Sequence, residues 1–538
     1  MIFRSLFAAI FLLLAGSAAF GQASNSNPLS DPRVRQALRY AIDMDAITKS
    51  SLLPMAVPAN SLTPNGERKV SGLNDYAYSP DKAKQLLKEA NWPSSYVIDV
   101  GYYYTDQQTV DLMTAVQHYW DQVGVKSKFR LITGDLNSLL WTPPKDPVKG
   151  PSAVDWDILY GATAALALNE YYNKYLGGAP GNSHTPNDPQ LDALINATNA
   201  TVDPAKQKAA FFELQKYENK VLPAIPLYYQ PLFLFSSKKL NRTGDANGNA
   251  QYNYDWNLVN WTIAPTNGKQ VLRTNTGPVQ FFEQVWFNPG VYIGSKVLFD
   301  RLIIADANLV PAKGGLASSY TVAPDGLSIT FKLRPGLKWH DGKPITVDDI
   351  KWSIEYALKV PAIHAVFAST FSKIAGAADY RAGKTKELAG VSVKGDTITV
   401  AFAQVDPNVA LTFSQFAPLP KAYFAETDPA KFQQNPYWQK PIGSGPYMVK
   451  DVKMNDYAVF VPFKDYWAGV AKIDEIQAYP SGENDANLVV NASAGKIDYG
   501  YTKASLDAMA LQKIPELAVT PINVFYTRVL FVNKFPKK

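Results

Sequence analysis

The chain has 538 residues, of which 46% are hydrophobic and 19% charged, so it is long enough for several domains with buried cores. Its net charge of +6 is spread without a basic stripe, which excludes the charge pattern of a nucleic-acid-binding protein. It contains no cysteine, which excludes disulfides, cysteine-based zinc sites and a lipid anchor on a cysteine.

The first 23 residues have the pattern of a secretory signal peptide. Arg4 precedes the apolar run LFAAIFLLLAG, and the small residues that follow predict cleavage near Ala23. The run is shorter than the ~20 residues that a membrane-spanning helix needs. We therefore expect an exported protein that diffuses in the periplasm without a lipid anchor.

Two segments after the signal predict amphipathic helices. In DPRVRQALRYAID, Asp31 and Pro32 form a typical helix start, and apolar residues follow at helical spacing. In SPDKAKQLLKEA, Ser79 and Pro80 form the same kind of helix start, and apolar residues again follow at helical spacing. Each helix should bury one face.

The segment VDWDILYG alternates as a strand does. On a strand, Asp155 and Asp157 would share one face at about 6–7 Å, a separation that suits the two carboxylates of a glycosidase. A secreted carbohydrate-active hydrolase is therefore one hypothesis for the function. The alternative is a solvated or hydrogen-bonded face, because the sequence shows no pocket that would split the two pKa values.

The chain beyond residue 220 mixes strands and helices. LPAIPLYYQPLFLF predicts an extended stretch that prolines interrupt. In residues 328–358, alternate apolar positions from Ile329 to Leu333 predict a half-buried strand, and Thr346 with Asp349 predicts a capping box before a helix. The mixture favours an α/β or α+β fold.

The sequence predicts neither a metal site nor a cofactor. The chain has four histidines, and no two of them have the short spacing of a pair of metal ligands. They are His118, His184, His340 and His364. A zinc or free-nickel site is therefore disfavoured. We interpret His340, in the turn WHDG, as structural.

Four motifs occur together: FKLRPGLKWHDGKPITVDDIKWS, PIGSGPY, SPDKAKQLLKEA and NPLSDPRVRQALRYAID. In this combination the chain resembles the family 5 extracellular solute-binding proteins of ABC importers, over nearly all of residues 24–538. The resemblance implies an α/β, two-lobed periplasmic-binding-protein fold of type II (a venus flytrap) with an extra domain. It also implies a monomeric, non-enzymatic receptor that delivers a solute to membrane permease subunits.

The order of the motifs differs from that of the family. In the family, the WHDG motif precedes the RVRQAL helix, whereas in this chain it follows. We interpret the chain as a circular permutant, with the family's termini joined near Ile263 and Ala264 and new ends at Ser24 and Lys538. The alternative, a tandem fusion of truncated homologues, fits less well because the two halves are complementary and not repeats.

The resemblance also implies a division into lobes. One ligand-binding lobe would comprise residues 24–228. The second lobe would comprise 229–298 and 426–538, with the additional domain inserted at 299–425.

Candidate ligand-binding residues follow from the same resemblance. In the family's peptide binders, a loop after the strand equivalent to WDILYG carries an aspartate for the peptide's amino group. The corresponding stretch of this chain has no aspartate, and its candidates are Tyr160, Asn169, Glu170, Tyr171 and Tyr172. Glu170 could replace the missing anion, and the tyrosines could equally pack in a core. A neutral loop would suit an oligosaccharide or a sugar–amino-acid conjugate as well as an oligopeptide.

The other lobe contributes the segment RTNTGPVQFFEQVWFNPG, which is similar to the family's early cleft segment. Its candidates are Thr276, Gly277, Phe281 and Trp286. The expected function is capture of a peptide-sized solute between the two lobes.

Overall fold

The computed structural model describes residues 27–50, 53, 55–179, 181–242, 257–276, 282–287, 293–306, 309–454, 456–480, 487–522, 524 and 526–537. The predicted signal peptide, Gly277, Phe281 and the side chain of Thr276 lie outside the described residues.

In chain order, the strands are β1 (Val57–Pro58), β2 (Val97–Tyr102), β3 (Lys126–Leu131), β4 (Ile158–Ala164), β5 (Ala224–Tyr229), β6 (Leu232–Ser237), β7 (Leu240–Asn241), β8 (Thr262–Ile263), β9 (Val271–Thr276), β10 (Ile303–Ala305), β11 (Pro311–Gly314), β12 (Ala317–Val322), β13 (Ser328–Leu333), β14 (Val391–Lys394), β15 (Thr397–Ala401), β16 (Tyr447–Lys453), β17 (Tyr457–Pro462), β18 (Glu475–Pro480), β19 (Tyr499–Thr502), β20 (Leu517–Ile522) and β21 (Tyr526–Val532). The α-helices are α1 (Pro32–Tyr40), α2 (Met44–Lys49), α3 (Pro80–Glu89), α4 (Gln107–Gln122), α5 (Leu136–Trp141), α6 (Leu168–Asn173), α7 (Pro189–Asn199), α8 (Pro204–Val221), α9 (Ile293–Leu298), α10 (Val347–Ala357), α11 (Ala365–Ser372), α12 (Ala377–Arg381), α13 (Val409–Gln415), α14 (Leu488–Ser493) and α15 (Ser505–Gln512). Short 3-10 helices span Pro28–Ser30, Leu258–Asn260, Glu283–Trp286, Lys421–Tyr423, Pro429–Gln434 and Pro436–Gln439.

The first lobe is built on a six-stranded sheet in the order β1-β5-β21-β4-β2-β3. β2, β3 and β4 are parallel, and β21 runs antiparallel between β4 and β5. Helices cover both faces. Leu530 and Val532 of β21 join the core beneath α1, α3 and α4, whereas Val529 and Phe531 join the core beneath α6, α7 and α8. Burial on both faces explains why the strand reads as a nearly continuous apolar run.

The second lobe contains a seven-stranded sheet in the order β16-β17-β18-β9-β19-β6-β20. β9 is parallel to both β18 and β19, and β6 is antiparallel to both β19 and β20. Two pairs of consecutive strands, β5–β6 and β20–β21, thus have one strand in each of the two large sheets. The two-lobed α/β architecture agrees with the prediction. One boundary differs, because residues 526–532 pair in the first lobe's sheet, whereas the division assigned 426–538 to the second lobe.

The additional domain has a four-stranded antiparallel sheet in the order β12-β13-β15-β14. The alternation predicted for β13 is confirmed, with Ile329 and Phe331 fully buried. The capping box is confirmed as well, since Thr346 Oγ1 donates to Asp349 Oδ2 at 2.8 Å and accepts from the Asp349 amide. One apolar core continues from this domain into the second lobe.

Local signals also located the first helices correctly. The Asp31 carboxylate accepts from the Arg33 amide at the start of α1, and Ser79 Oγ accepts from the Lys82 amide at the start of α3. Among the described helices, none is long and apolar enough to cross a bilayer.

The WHDG and PIGSGPY motifs are in contact. His340 Nδ1 accepts from the Gly443 amide, and His340 Nε2 lies 3.0 Å from the Gly445 carbonyl. Burial lowers the pKa of His340 to about 4, so the ring is neutral and Nε2–H donates. A Cβ at Gly443 would lie 1.8 Å from the Leu298 carbonyl oxygen, which explains the glycine. These contacts agree with a structural role for His340.

Candidate functional site

One edge of the first lobe's sheet faces the junction between the lobes. β2, β4 and β5 end at this edge and β21 begins there, with Tyr526 opposite Ala164 and Thr527 opposite Tyr229. Ligands of open α/β sheets bind outside the carboxyl ends of the strands. Since both strand pairs that enter the second lobe leave from this edge, we call it the junction edge.

Five tyrosines and one arginine gather at the junction edge. We name the five tyrosines around Arg528 the edge tyrosine cluster, and they are Tyr103, Tyr104, Tyr160, Tyr228 and Tyr526. The Arg528 guanidinium carbon lies 4.4 Å from the ring centroid of Tyr104, 5.2 Å from that of Tyr526 and 5.7 Å from that of Tyr160. The predicted candidate Tyr160 is fully buried in the first lobe's core, and its ring lies beside Arg528.

The hydroxyls of the cluster are paired with each other. Tyr160 Oη lies 3.0 Å from Tyr228 Oη, and Tyr103 Oη lies 3.2 Å from Tyr104 Oη. Burial raises the pKa of Tyr104 and of Tyr160 well above 10. Both hydroxyls therefore keep their protons at neutral pH and can donate hydrogen bonds.

Arg528 links the two lobes. Its Nε donates to Gln230 Oε1 at 3.3 Å, and Gln230 Nε2 donates to the Lys503 carbonyl of the second lobe at 3.1 Å. Gln230 lies between β5 and β6, where the chain passes from one sheet to the other. The buried Nη1 of Arg528 has no hydrogen-bond partner among the described residues.

Asn169 connects the first lobe with the additional domain. Its Oδ1 accepts from Asn408 Nδ2 at 2.9 Å, and its Nδ2 donates to Asn199 Oδ1 at 2.8 Å. Asn199 in turn donates to Asn173 Oδ1. The predicted candidate therefore lies at a contact between two parts of the molecule.

Glu170 is buried beside this contact. Its Oε2 accepts from the amides of Leu166 and Ala167, at the start of α6. Burial raises its pKa to about 7, and the nearby Asp406 carboxylate acts in the same direction. Oε2 is thus engaged by the start of its own helix, whereas the buried Oε1 has no hydrogen-bond partner among the described residues.

Three other predicted candidates pack in cores. Tyr171 and Tyr172 are fully buried in the first lobe, and Tyr172 Oη lies 2.8 Å from Thr63 Oγ1. Trp286 is fully buried between Phe416 and Phe432, and its Nε1 donates to the Ala417 carbonyl. This packing matches the core alternative for the tyrosines.

The two aspartates of the hydrolase hypothesis have different environments. Asp157 is fully buried, accepts from Tyr96 Oη and the Asp99 amide at 2.9 Å each, and lies 2.8 Å from Lys537 Nζ. The Asp155 side chain is 72% exposed and pairs with Arg130. β4 begins only at Ile158, so the predicted strand starts after both residues. The contacts are those of a structural ion pair, and they do not support a catalytic pair.

Sequence reasoning missed Arg528 and Asn408. A single cation within the apolar run YTRVLFV was a usable signal for Arg528. Asn408 follows β15 in an ordinary polar stretch, and its partner is 239 residues away in the chain, so no local pattern indicated it. Among the described residues, no group of three or more histidine, cysteine, aspartate or glutamate side chains could hold a metal ion.

Comparison with known proteins gives partial alignments to peptide-binding proteins. The chain is 29% identical over 253 residues to di/tripeptide-binding protein 4 of Pseudomonas aeruginosa, covering 44% of this chain and 45% of the relative. It is 26% identical over 208 residues to the oligopeptide-binding protein of Lactococcus lactis subsp. lactis, covering 37% of this chain and 34% of the relative. The chain thus spans less than half the length of each of these relatives.

A solved structure and a protein family also match. The Escherichia coli murein tripeptide-binding protein is 23% identical, with 46% of this chain and 49% of that chain covered and a TM-score of 0.38. The family described as bacterial extracellular solute-binding proteins, family 5 Middle, matches residues 15–206 and 312–534, which together exceed half of the chain. The protein therefore belongs to the family 5 bacterial extracellular solute-binding proteins.

Proposed function

We propose that this protein is the non-enzymatic, monomeric substrate-binding receptor of an ABC importer. It captures a peptide-sized solute between its lobes and delivers it unaltered to the membrane permease. The observation that carries this proposal is the junction edge, where aromatic and hydrogen-bonding side chains collect between the two large sheets. Small-molecule sites combine such apolar surface with a few fixed polar groups.

An oligopeptide is the proposed solute. The relatives named as di/tripeptide-binding and oligopeptide-binding proteins favour it. The absence of an aspartate between Tyr160 and Leu176 leaves an oligosaccharide or a sugar–amino-acid conjugate as the alternative.

Capture depends on the solute touching both lobes. A solute shifts the equilibrium between open and closed states only by its difference in affinity for the two states. Tyr160, Asn169 and Glu170 are the proposed contacts from the first lobe. Thr276, Gly277 and Phe281 are those from the second. Tyr171, Tyr172 and Trp286 would contribute through the packing that holds these segments.

The proposed location is the periplasm. Membership of an extracellular family and the signal-like residues 1–23 support it, with cleavage near Ala23 and no lipid anchor.

The proposed chain order is that of a circular permutant. Asn27 Nδ2 donates to the carbonyls of Asn533 and Phe535, so the two ends of the described chain are in contact. Neighbouring ends are the condition under which permutation is tolerated. In the proposed division, the first lobe comprises residues 24–228, and the second comprises 229–298 and 426–538. The additional domain comprises 299–425. Residues 526–537 are moved from the second lobe to the first.

The test is native mass spectrometry of the purified full chain, followed by calorimetry. We expect a co-purifying peptide and saturable one-to-one binding of a tripeptide pool, with thermal stabilisation and no product. A co-purifying oligosaccharide would replace the peptide as solute. If the protein converted a bound oligosaccharide into a product, and the Asp157→Asn variant did not, the proposed receptor function would be overturned.

A further inference from the structure

Arg528 is a half-buried cation in a strand whose other residues, Thr527 apart, are apolar or aromatic. The four residues that follow it in β21 are all buried. On its own face of the sheet, Arg528 lies opposite Tyr228 on one side and Ala162 on the other. Burying part of a guanidinium without a charged or hydrogen-bonding partner costs free energy.

The hydrogen-bonding capacity of Arg528 is largely unused within the protein. A guanidinium has five N–H donors in a planar fork. One of them, on Nε, donates to Gln230, while the buried Nη1 has no partner among the described residues. No salt bridge between described residues includes Arg528, although other arginines such as Arg130 and Arg273 pair with aspartates.

The surroundings of Arg528 offer aromatic faces and hydroxyls. Three rings of the edge tyrosine cluster contact the guanidinium. Asp106 is an acidic neighbour of Tyr160 and Tyr228, but it caps α4 and accepts from both the amide and the hydroxyl of Thr109. The cluster therefore stacks on the cation without neutralising its charge.

We propose that Arg528 is the anchor for a carboxylate of the transported solute. The proposal rests on the receptor function proposed above, and it adds the chemical class of the bound group. The free fork of Arg528 matches a carboxylate in two-point geometry. The protonated hydroxyls of the edge tyrosine cluster can supply further donors. The Gln230 link to Lys503 holds the guanidinium at the point where both lobes meet.

A carboxylate of this kind occurs at the end of a peptide and on an acidic sugar. The experiment therefore has two arms, both with the full chain in calorimetry. One arm compares a tripeptide pool as free acids with the same pool as C-terminal amides. The other compares trigalacturonate with maltotriose.

In one of the two arms, the wild-type protein should bind the solute with the carboxylate about 10- to 100-fold more tightly than the neutral solute. Arg528→Met should abolish that preference. Arg334→Met is the matched control, since Arg334 is also half-buried and stacks on Trp467 at 4.0 Å, but in the additional domain. That control should keep the preference.

Equal affinity of the wild type for the charged and neutral forms, or a preference that survives Arg528→Met, would overturn the carboxylate anchor and leave the receptor function standing. If the wild type bound none of the four ligands, neither the two peptide pools nor the two sugars, both the receptor function and the carboxylate anchor would be overturned. If Arg528→Met does not fold, Arg528→Lys decides, because it keeps the charge but loses the fork. We then expect about a tenfold loss for the carboxylate form alone.

Discussion

Two buried glutamates of the first lobe have raised pKa values. Glu218 is fully buried in α8, where it accepts from Ser61 Oγ and the Leu62 amide. Burial raises its pKa from 4.5 to about 8, and Glu170 is shifted in the same direction to about 7. Both carboxyls therefore hold protons in the folded state that they release in the unfolded state at neutral pH.

The first prediction concerns Glu218. Because the folded-state pKa is raised, its contribution to stability is present below pH 4.5 and declines as pH rises towards about 8. Glu218→Gln should therefore reduce this decline, with the variant gaining most on the wild type near pH 8. Urea unfolding at pH 5 and pH 8 measures it. The exposed Glu213→Gln is the control, and an equal pH dependence in wild type and Glu218→Gln would contradict the prediction.

The second prediction separates the two aspartates of the hydrolase hypothesis. Asp157→Ala leaves the Asp99 amide, Tyr96 Oη and Lys537 without their acceptor, so we expect a loss of about 3 kcal/mol in unfolding free energy. Asp155→Ala removes one exposed pair and should cost less than about 1 kcal/mol. Chemical denaturation of both variants checks the difference. Similar losses would mean that the buried contacts of Asp157 contribute little.

At the scale of elements, short-range signals predicted well and long-range pairing did not. Caps and apolar spacing located α1 and α3, and alternation located β13, because these elements depend on residues within a few positions. β21 pairs with β5 and β4, which lie about 300 and 370 residues earlier in the chain. Its apolar run is compatible with either large sheet, so the sequence does not indicate these partners. The same limit applies to the candidate site. The family motif indicates Tyr160 from nearby residues, where it stays a prediction, whereas the contacts of Asn408 and Arg528 depend on the folded arrangement.

The third prediction concerns the contact between the starts of α6 and α13. The Asn408 side chain does not cap α13, so Asn408→Ala removes only its bond to Asn169. One such bond contributes about 0.5–1.5 kcal/mol, so the population with this contact should fall about 2- to 10-fold. X-ray scattering without solute should then report a larger radius of gyration. Asn435→Ala, which removes side-chain bonds to Tyr423, Thr427 and the Tyr437 amide within the second lobe and the additional domain, is the control and should leave the radius of gyration unchanged.

At the scale of the whole molecule, the two large sheets share the chain at two places, β5–β6 and β20–β21. In the proposed permutant, α1 and β21 meet through the Asn27 side chain, which donates to the carbonyls of Asn533 and Phe535. Hydrogen bonds restrain these segments less than a covalent link does.

The fourth prediction tests this consequence. A chain with residues 264–538 placed before 24–263 should keep the same fold, since every strand pairing remains possible. We expect its lobes to sample a narrower range of openings and its solute affinity to rise, because the covalent link lowers the freedom of the open state. Scattering profiles and calorimetry compare the two orders. Identical opening and affinity would mean that the connection does not affect closure.

The central position of β21 also bears on how the nascent chain matures. The six-stranded sheet needs residues 526–532 between β4 and β5, so helices α1 to α8 cannot surround a finished core before these residues have left the ribosome. Strand pairings between distant residues form late because the intervening loop must first be closed. The first lobe's sheet is therefore complete only after residues 526–532 have been synthesised.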